Sequence, residues 1–589
     1  MTSSATYYPL PVSTHALSRG LTLVLDRRNN RVCELDALAG RVLSCCHGMK
    51  TPEAHATAAW QAGTTADPST MRRAVEQLVE LGLLRRGAAR PSGAGTGASA
   101  SPAPVSTVAI ITADRPQSVE RCLRSVIGHA TTFGHTPRVV VVDGSRTLAD
   151  ATAAAVGRVG KATGGKVTYV GRSEAGVLRH MLARHVPESV LRFGLTPGSI
   201  GSNRNLASLL TAGTRVLMVD DDVLCEPWAL EGHDDTVTFG GHVDTREWRF
   251  FPTRSAALAA ATRVDADLFS AHGRLLGRSL DDIVGSSHAP MDLGDACTHL
   301  LRAMAERGES RVRATLTGVA GDSARYCAHR LLLCPGTIRE ILMSDRAAFE
   351  SALTSREVHH IARRTIVTHD STCVTYCLGL ENDHMTPPFM PVGRSEDTVF
   401  GAMLGFIDAA ALFAHLPYGI VHDSDRPSTY QSNDRLLSAR QTRVSEFLLA
   451  MMAVIAPATF STSAADRLKH LGRGLMDIGE QDVDEFANLV RETALMLRCR
   501  PLAQLDSAMA VDSRWPDHWR SAIGEYAEAF RAHAASPEFF VPIEFREASS
   551  VDAAFRRMQA FVRDFGALIQ AWPEIWQEAS QLTGEWRAD

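Results

Sequence analysis

Three consecutive carboxylates follow an apolar stretch near the middle of the chain. Residues 216–219 are apolar and lead directly into Asp220, Asp221 and Asp222. A buried strand that ends in an acidic cluster can present carboxylates to a divalent cation and a phosphate. Because side chains alternate along a strand, Asp220 and Asp222 are expected on one face and Asp221 on the other. The pattern predicts a metal and phosphate site, with three solvated turn residues as the alternative.

A second acidic pair, Glu396 and Asp397, precedes residues 400–412, which are predicted to form a helix. The unpaired N–H groups at a helix N-terminus hold a carboxylate in place and keep it ionised. Such a carboxylate suits a general base, although aspartate is also an ordinary helix cap. Further on, His422 ends a short predicted strand and is the candidate for a histidine metal ligand. A structural role is the alternative, because the chain has 22 histidines and many of them must serve the fold.

Two strands and a helix are predicted upstream of the acidic run. The strands cover residues 107–112 and 139–142, and the helix is predicted to open at residues 202–205. Arg204 lies in that opening turn. Its fork of donors, assisted by the helix N-terminus, can neutralise the oxygens of a diphosphate. A surface salt bridge is the alternative for this arginine.

In this order, the two strands, the helix, the acidic run and the Glu-Asp pair resemble glycosyltransferase family 2, whose members have the GT-A fold. The resemblance implies a nucleotide-sugar donor, with a UDP-sugar expected, and Mn²⁺ or Mg²⁺ as cofactor. It also implies that residues at strand ends and turns bind the donor, although each could be a plain turn residue. At the matching positions stand Thr112, Asp114, Arg115, Asp143, Arg204, Asp220 and Asp221.

The same resemblance implies chemical roles. In the D-x-D pattern of the family the first carboxylate lies near the ribose and the metal, and the second coordinates the ion. Asp220 and Asp222 are therefore the expected metal ligands, and His422 stands where a late histidine completes the metal shell in many GT-A enzymes. Asp397 corresponds to the general base of inverting members, with Glu396 as its neighbour on the acceptor side.

A second resemblance concerns the first 86 residues, which are predicted to form a β-hairpin followed by helices. The stretches VLDRRNNRVCELDALAGRVLSCCHGMKT and MRRAVEQLVELGLLRR are similar to the PqqD-like domain, a small winged-helix unit also called the RiPP recognition element. The resemblance implies that the leader of a precursor peptide binds as an added strand beside the hairpin. A DNA-binding winged helix and a scaffold without a ligand are the alternatives.

The predicted fold class is α/β: a GT-A-type core, a small winged-helix PqqD-like domain before it and an α-helical region after it. Residues 87–104 contain almost nothing that could be buried and are predicted to be a flexible linker. The core is assigned to residues 105–430, with an insertion at about 230–385 that contains a turn at 318–323 and a strand at 372–378. Amphipathic patterns predict helices in a C-terminal domain, residues 431–589. By analogy with peptide-modifying glycosyltransferases, these helices could serve a homodimer.

Composition indicates which partners and which cellular compartment to expect. The net charge of −5 argues against nucleic acid as a partner, and an odd number of cysteines, 11 in all, indicates reduced thiols. The first 20 residues lack the apolar region of a signal peptide, and the apolar stretches 400–421 and 447–456 are better interpreted as core helices than as membrane spans. We therefore expect a cytoplasmic protein without a membrane partner.

Together these features predict a metal-dependent, inverting glycosyltransferase that modifies a ribosomally made peptide captured by its N-terminal domain. Three alternatives stay open at this point. The acceptor can be a carbohydrate or a small metabolite, the reaction can be nucleotidyl transfer, or the chain can be a peptide-binding protein with a relic GT-A fold. The sugar, the nucleotide base and the acceptor atom have no signature in the sequence.

Overall fold

A mixed β-sheet organises the chain and helices cover both of its faces. This sheet has 13 strands among the described residues, and two smaller sheets lie near the N-terminus. The predicted α/β class is thereby confirmed, whereas the finer assignments to GT-A and PqqD-like domains stay predictions. The computed structural model describes residues 5–10, 12–17, 20–26, 31–61, 67–87, 104–184, 186–234, 236–240, 246–286, 293, 300–301, 310–323, 331–332, 336–430, 441–456, 463–511 and 515–586.

The N-terminal residues form a small unit with its own apolar core. Its elements are β1 (Tyr7–Pro9), β2 (Ser13–Ala16), β3 (Thr22–Asp26), β4 (Arg31–Leu35), α1 (Ala37–Cys45), α2 (Pro52–Gln61), α3 (Pro68–Glu80) and β5 (Leu84–Arg86). The predicted hairpin is confirmed: β3 pairs with β4 in antiparallel fashion, and β2 pairs with the other side of β3. Val24, Val42 and Leu78 belong to the core that joins this small sheet to the helices.

This unit also packs against the large sheet. Tyr8 is buried in an apolar cluster of that sheet, and the amide of Met49 donates a hydrogen bond to the carbonyl of Leu293 over 3.1 Å. Of the predicted linker, residues 88–103 lie outside the described residues. The N-terminal unit therefore has a direct contact with the rest of the protein.

The next elements build the parallel half of the large sheet. They are β6 (Thr107–Thr112), α4 (Pro116–Thr132), β7 (Arg138–Asp143), α5 (Ala149–Thr163), β8 (Val167–Val170), α6 (Arg172–Leu182), α7 (Glu188–Leu195), α8 (Ile200–Leu210) and β9 (Arg215–Asp220). Strand β6 lies between β7 and β9 and runs parallel to both. These buried strands consist mainly of Val, Ile and other apolar residues, as expected when helices cover both faces.

The remaining strands extend the same sheet. They and their helices are β10 (Val223–Ala229), β11 (Val237–Phe239), β12 (Glu247–Phe251), α9 (Arg254–Ala259), β13 (Thr262–Arg263), α10 (Leu268–Gly273), α11 (Leu280–Ser286), β14 (Arg311–Asp322), α12 (Gly336–Ser344), α13 (Arg346–Thr354), β15 (Glu357–Ile361), β16 (Thr365–Thr368), β17 (Cys377–Glu381), α14 (Glu396–Ile407) and β18 (Ala411–His422). The main path through the sheet is β11-β16-β18-β14-β17-β9-β6-β7-β8.

This topology corrects several local predictions. The segment at 230–385 is no appended insertion, because β14 and β17 occupy central positions between β9 and β18. The turn predicted at 318–323 lies mostly within β14, and the strand predicted at 372–378 begins only at Cys377. Residues 400–421, interpreted as helical, contain the end of α14 and most of β18. The interpretation of residues 400–421 failed because an apolar run does not separate a buried helix from a buried strand.

The C-terminal helices are α15 (Val444–Ile455), α16 (Ala464–Gly479), α17 (Val483–Val511), α18 (Asp517–Ala534) and α19 (Val551–Trp586), with short 3₁₀ helices at Pro537–Phe540 and Ile543–Phe545. Their helical character is confirmed, whereas the separate C-terminal domain stays a prediction: Tyr526, Phe530 and Phe539 form an apolar cluster within these elements, but α19 packs against the sheet. Phe565 and Trp572 of α19 lie in one apolar cluster with Val140 of the sheet. The indole Nε1–H of Trp572 donates to the carbonyl of Thr386 over 2.7 Å, which ties α19 to the loop before α14.

Membrane-spanning helices were searched for among the described residues. Within them, none combines the length and apolarity needed to cross a bilayer.

Candidate functional site

The predicted site residues meet at one edge of the large sheet. Strands β6, β7 and β9 are parallel, so their carboxyl ends lie side by side: Thr112 pairs with Asp143, and Ile111 pairs with Asp220. Strand β18 arrives at the same edge, where His422 pairs with Val223 immediately after the acidic run. The carboxyl ends of strands are where α/β sheets usually bind ligands.

One group of charged side chains lies at the open side of this edge, and we call Arg115, Asp221, Asp222 and His422 the outer cluster. Arg115 Nη1 lies 2.7 Å from Asp221 Oδ1 and 3.0 Å from Asp222 Oδ2. His422 Nε2 lies 3.0 Å from Asp222 Oδ1. The side chain of Arg115 keeps 35% of its surface exposed, whereas the side chains of Asp222 and His422 keep 11% and 5%, so Arg115 is the member of the cluster that borders solvent.

The orientation of His422 is set by the main chain. Its Nδ1 lies 2.7 Å from the carbonyl oxygen of Asp322, and this geometry requires a proton on Nδ1. Nε2 is therefore the nitrogen directed at Asp222. A histidine held in this way through one nitrogen can offer the other to a metal.

The charges of the outer cluster shift its pKa values. Burial opposes ionisation of Asp222, but the hydrogen bond and charge of His422, together with Arg115, lower its pKa overall. Burial lowers the pKa of His422, but the partnership with Asp222 raises it overall. For Asp221, burial outweighs Arg115 and raises the pKa to about 7. Asp222 is thus the carboxylate of this cluster that is held firmly as an anion.

A second group, Asp220, Arg204 and Glu396, is centred on a buried arginine, and we call it the inner cluster; the side chain of Asp220 itself keeps 28% of its surface exposed. Arg204 Nη2 lies 2.6 Å from Asp220 Oδ1, and its Nε lies 3.3 Å from Glu396 Oε1. Arg204 is only 1% exposed. Burial and the neighbouring Asp397 raise the pKa of Glu396 to about 7, while Arg204 opposes that rise.

This arrangement corrects two predictions. Arg204 was expected to neutralise a diphosphate. It is buried in the second turn of α8, and two of its nitrogens contact the carboxylates of Asp220 and Glu396. Asp220 and Asp222 were expected to face the same way. Strand β9 ends at Asp220, so the alternation of a strand does not continue beyond it: Asp220 contacts Arg204, and Asp222 contacts His422.

The predicted base, Asp397, lies in the first turn of α14 beside Glu396. Its Oδ1 accepts a hydrogen bond from the amide of Thr398 over 2.8 Å. Ser395, the residue before the helix, has a left-handed backbone with φ of 68°, a conformation that a non-glycine residue rarely adopts. Strained backbone of this kind is concentrated at functional sites, where surrounding contacts maintain it.

Two predicted nucleoside contacts have their carboxylates engaged inside the protein. Asp114, with a φ of 55°, accepts hydrogen bonds from the amides of residues 146–148, and these bonds lower its pKa to about 2. Asp143 accepts from the hydroxyl of Tyr169 over 2.7 Å and from that of Ser145 over 2.5 Å. The expected contacts of Asp114 with the nucleoside and of Asp143 with its base stay predictions, and each would have to form beside these internal hydrogen bonds. Thr112 likewise donates to Asp221 over 2.6 Å.

Sequence reasoning missed the residues that support the site. Ser145 is buried, and its hydroxyl links the amide of Asp114 to Asp143. Asn203 donates to the carbonyl of Thr112, and Asn205 bonds the backbone of Phe389. The signal was the polar run at 202–205 in a helix whose other residues are mainly apolar. A fully buried polar run indicates hydrogen bonding to other segments.

The chemistry of these residues was compared with the needs of a divalent cation. Within the described ranges, no group of three or more His, Cys, Asp or Glu side chains is arranged to hold a metal by itself. Asp222 and His422 are a suitable pair, with an oxygen and a nitrogen 3.0 Å apart. Mg²⁺ is commonly bound through one or two carboxylates together with phosphate oxygens of a substrate. The pair therefore fits a metal that is shared with a nucleotide.

The chain was also compared with known proteins. No protein-family model matches it, and no curated protein matches it either.

Proposed function

We propose that this protein is a metal-dependent, inverting glycosyltransferase that transfers a sugar from a nucleotide-sugar to a ribosomally made precursor peptide. The observation that carries the proposal is the contact between Asp222 and His422 at the end of the acidic strand. Its 3.0 Å separation and the main-chain bond that orients the imidazole prepare one oxygen and one nitrogen for a single cation. The Glu396–Asp397 turn is joined to Asp220 through Arg204, which contacts the carboxylates of both Asp220 and Glu396.

On the donor side, Asp222 and His422 would hold Mn²⁺ or Mg²⁺, and such an ion neutralises the charge that develops on a departing nucleoside diphosphate. Arg115 borders the same space with a partly exposed guanidinium and contributes further positive charge. Asp221, bonded to Thr112 and Arg115, holds that guanidinium in position. A UDP-sugar is the expected donor.

On the acceptor side, we assign the general base to Asp397. It takes the proton of the acceptor hydroxyl or thiol while the acceptor atom bonds to the anomeric carbon and the bond to the diphosphate breaks. One such displacement from the opposite face inverts the anomeric configuration. Glu396 lies between Asp397 on the acceptor side and Arg204 of the inner cluster.

The N-terminal unit would deliver the peptide. Strand β4 pairs among the described strands with β3 alone, and Val32 on it is 57% exposed. An exposed edge can accept an extended leader as an additional strand. Because this unit also contacts the large sheet, binding of a leader raises the local concentration of the acceptor near the catalytic residues.

The first test is a donor screen with the purified protein. We expect release of a nucleoside diphosphate from a UDP-sugar with Mn²⁺, abolition by EDTA, and a mass increase of one sugar on a precursor peptide encoded beside the gene. Transfer to a sugar or metabolite but not to the peptide would contradict the acceptor assignment. Pyrophosphate release would indicate nucleotidyl transfer, and binding of the peptide without turnover of any donor would leave a peptide-binding protein.

A further inference from the structure

Helix α8 contains a run of polar residues that is almost completely buried. Ser202, Asn203, Arg204 and Asn205 are each between 0% and 3% exposed. Burial of polar groups is costly unless each finds a partner. The contacts of three consecutive side chains show where those partners lie.

Each of the three bonds a different segment of the site. Asn203 donates to the carbonyl of Thr112 over 3.2 Å, at the end of β6. Arg204 joins Asp220 to Glu396. Asn205 bonds both backbone groups of Phe389, accepting over 2.6 Å and donating over 3.0 Å.

The position of Arg204 between two carboxylates sets its orientation. Its third nitrogen, Nη1, is shielded from solvent and has no hydrogen-bond partner among the described residues. The guanidinium is thus aligned by Asp220 and Glu396 and leaves one donor unused.

We infer that Arg204 is a positioning residue, which fixes the Glu396–Asp397 turn relative to the end of the acidic strand and so couples the donor side to the acceptor side. This inference rests on the proposed function. Ser395 next to Glu396 has a left-handed backbone, and a residue in such a conformation is maintained by surrounding contacts, of which the Arg204–Glu396 contact is one. Misplacement of a catalytic group by about 1 Å can cost on the order of 10²-fold in rate.

The experiment compares Arg204→Gln and Arg204→Lys with a matched buried arginine. Arg313 is 4% exposed and also joins two carboxylates, Glu381 and Asp408, away from the acidic run. We expect Arg204→Gln to lower kcat for peptide transfer by roughly 10²-fold with little change in the KM for the donor. Arg204→Lys should recover part of kcat, because an ammonium cannot bond two carboxylates as a planar fork does. Arg313→Gln should lower stability but leave kcat of the folded protein unchanged.

A double variant tests the coupling directly. If Arg204 acts through Glu396, Arg204→Gln combined with Glu396→Gln should lower kcat little more than Arg204→Gln alone, since residues in one network are not additive. Multiplied losses would overturn the inference, as would an unchanged kcat in Arg204→Gln or an equal rise in the donor KM.

Thermal unfolding separates this inference from the proposed function, because it needs no substrate. The Tm deficit of Arg204→Gln should be partly recovered when Glu396→Gln removes the unpaired buried carboxylate. If the wild type transfers no sugar but this recovery is seen, the proposed function fails while the coupling stands. If sugar is transferred but the Tm deficits simply add, the coupling fails alone.

Discussion

The outer and inner clusters contain carboxylates of the same acidic run, but these carboxylates have different partners. Asp222, with 11% of its side chain exposed, lies beside His422 and the partly exposed Arg115. Asp220, two residues earlier, bonds an arginine that is 1% exposed. Two aspartates of one run thus have different partners: Asp222 contacts Arg115 and His422, and Asp220 contacts Arg204.

The physical difference between the clusters lies in how easily their partners can be exchanged. The outer cluster includes Arg115, whose side chain is 35% exposed, so its contacts with Asp221 and Asp222 border solvent. The contacts of Arg204 are shielded, and removing one partner would leave a buried charge uncompensated. The outer cluster is therefore expected to control turnover, whereas the inner cluster controls turnover and stability together.

The largest effect should follow from Asp222→Ala. Loss of this carboxylate removes the oxygen proposed to hold the cation, so metal-dependent nucleotide binding and sugar transfer should both be abolished while Tm changes little. Isothermal titration with UDP and Mn²⁺ and a transfer assay measure the two losses. Asp425→Ala is the matched control, since Asp425 lies nearby but is 71% exposed, and it should retain activity. Full activity of Asp222→Ala, or of the wild type in EDTA, would remove the outer cluster from catalysis.

Asp397→Asn should have the next largest effect, confined to the chemical step. Asparagine keeps the size of the side chain but cannot take a proton, so transfer to a hydroxyl should fall by roughly 10²–10⁴-fold with donor affinity nearly unchanged. A thiol acceptor should soften the loss, because cysteine is partly ionised near neutral pH. Retained anomeric configuration in the product, seen by NMR, or wild-type transfer by the variant would reduce Asp397 to a helix cap.

A smaller effect is expected from the surface of the N-terminal unit. Val32→Asp places a charge on the exposed edge strand and should raise the KM for the precursor peptide by about tenfold, the loss expected when about 1.4 kcal/mol of binding free energy disappears. Hydrolysis of the nucleotide-sugar alone should not change. Leu17→Asp is the control, because Leu17 is also exposed but follows the opposite edge strand, β2. Equal effects of the two variants would argue against leader binding at β4.

The smallest effect should follow from Trp572→Phe. The substitution keeps an aromatic ring in the core but removes the hydrogen bond to Thr386 in the loop before α14, at a cost of about 1 kcal/mol in the free energy of unfolding. Because this loop leads to the Glu396–Asp397 turn, kcat should fall slightly without a change in donor affinity. Urea unfolding and steady-state kinetics measure the two. A fall in donor affinity with unchanged kcat would show that α19 supports the outer cluster instead.

The amino-acid sequence is sufficient to predict the local elements of this protein. Apolar runs that end in polar residues predicted β6, β7 and β9 with Thr112, Asp143 and Asp220 at or beside their ends, and the hairpin of the N-terminal unit follows from its alternating pattern. The Glu396–Asp397 pair was predicted near the start of a helix. These features depend on residues close in the chain, where periodicity and helix termini act.

The partner of each side chain depends on tertiary contacts. The central place of β14 and β17 in the sheet, the contact of His422 with Asp222 and the union of the C-terminal helices with the main core all join segments distant in sequence. The clearest case is Arg204. Its place near the start of a helix predicts a phosphate ligand, but it bonds Asp220 and Glu396, the latter 192 residues away. Burial and packing across the fold select that partner, and neither is encoded in the spacing of nearby residues.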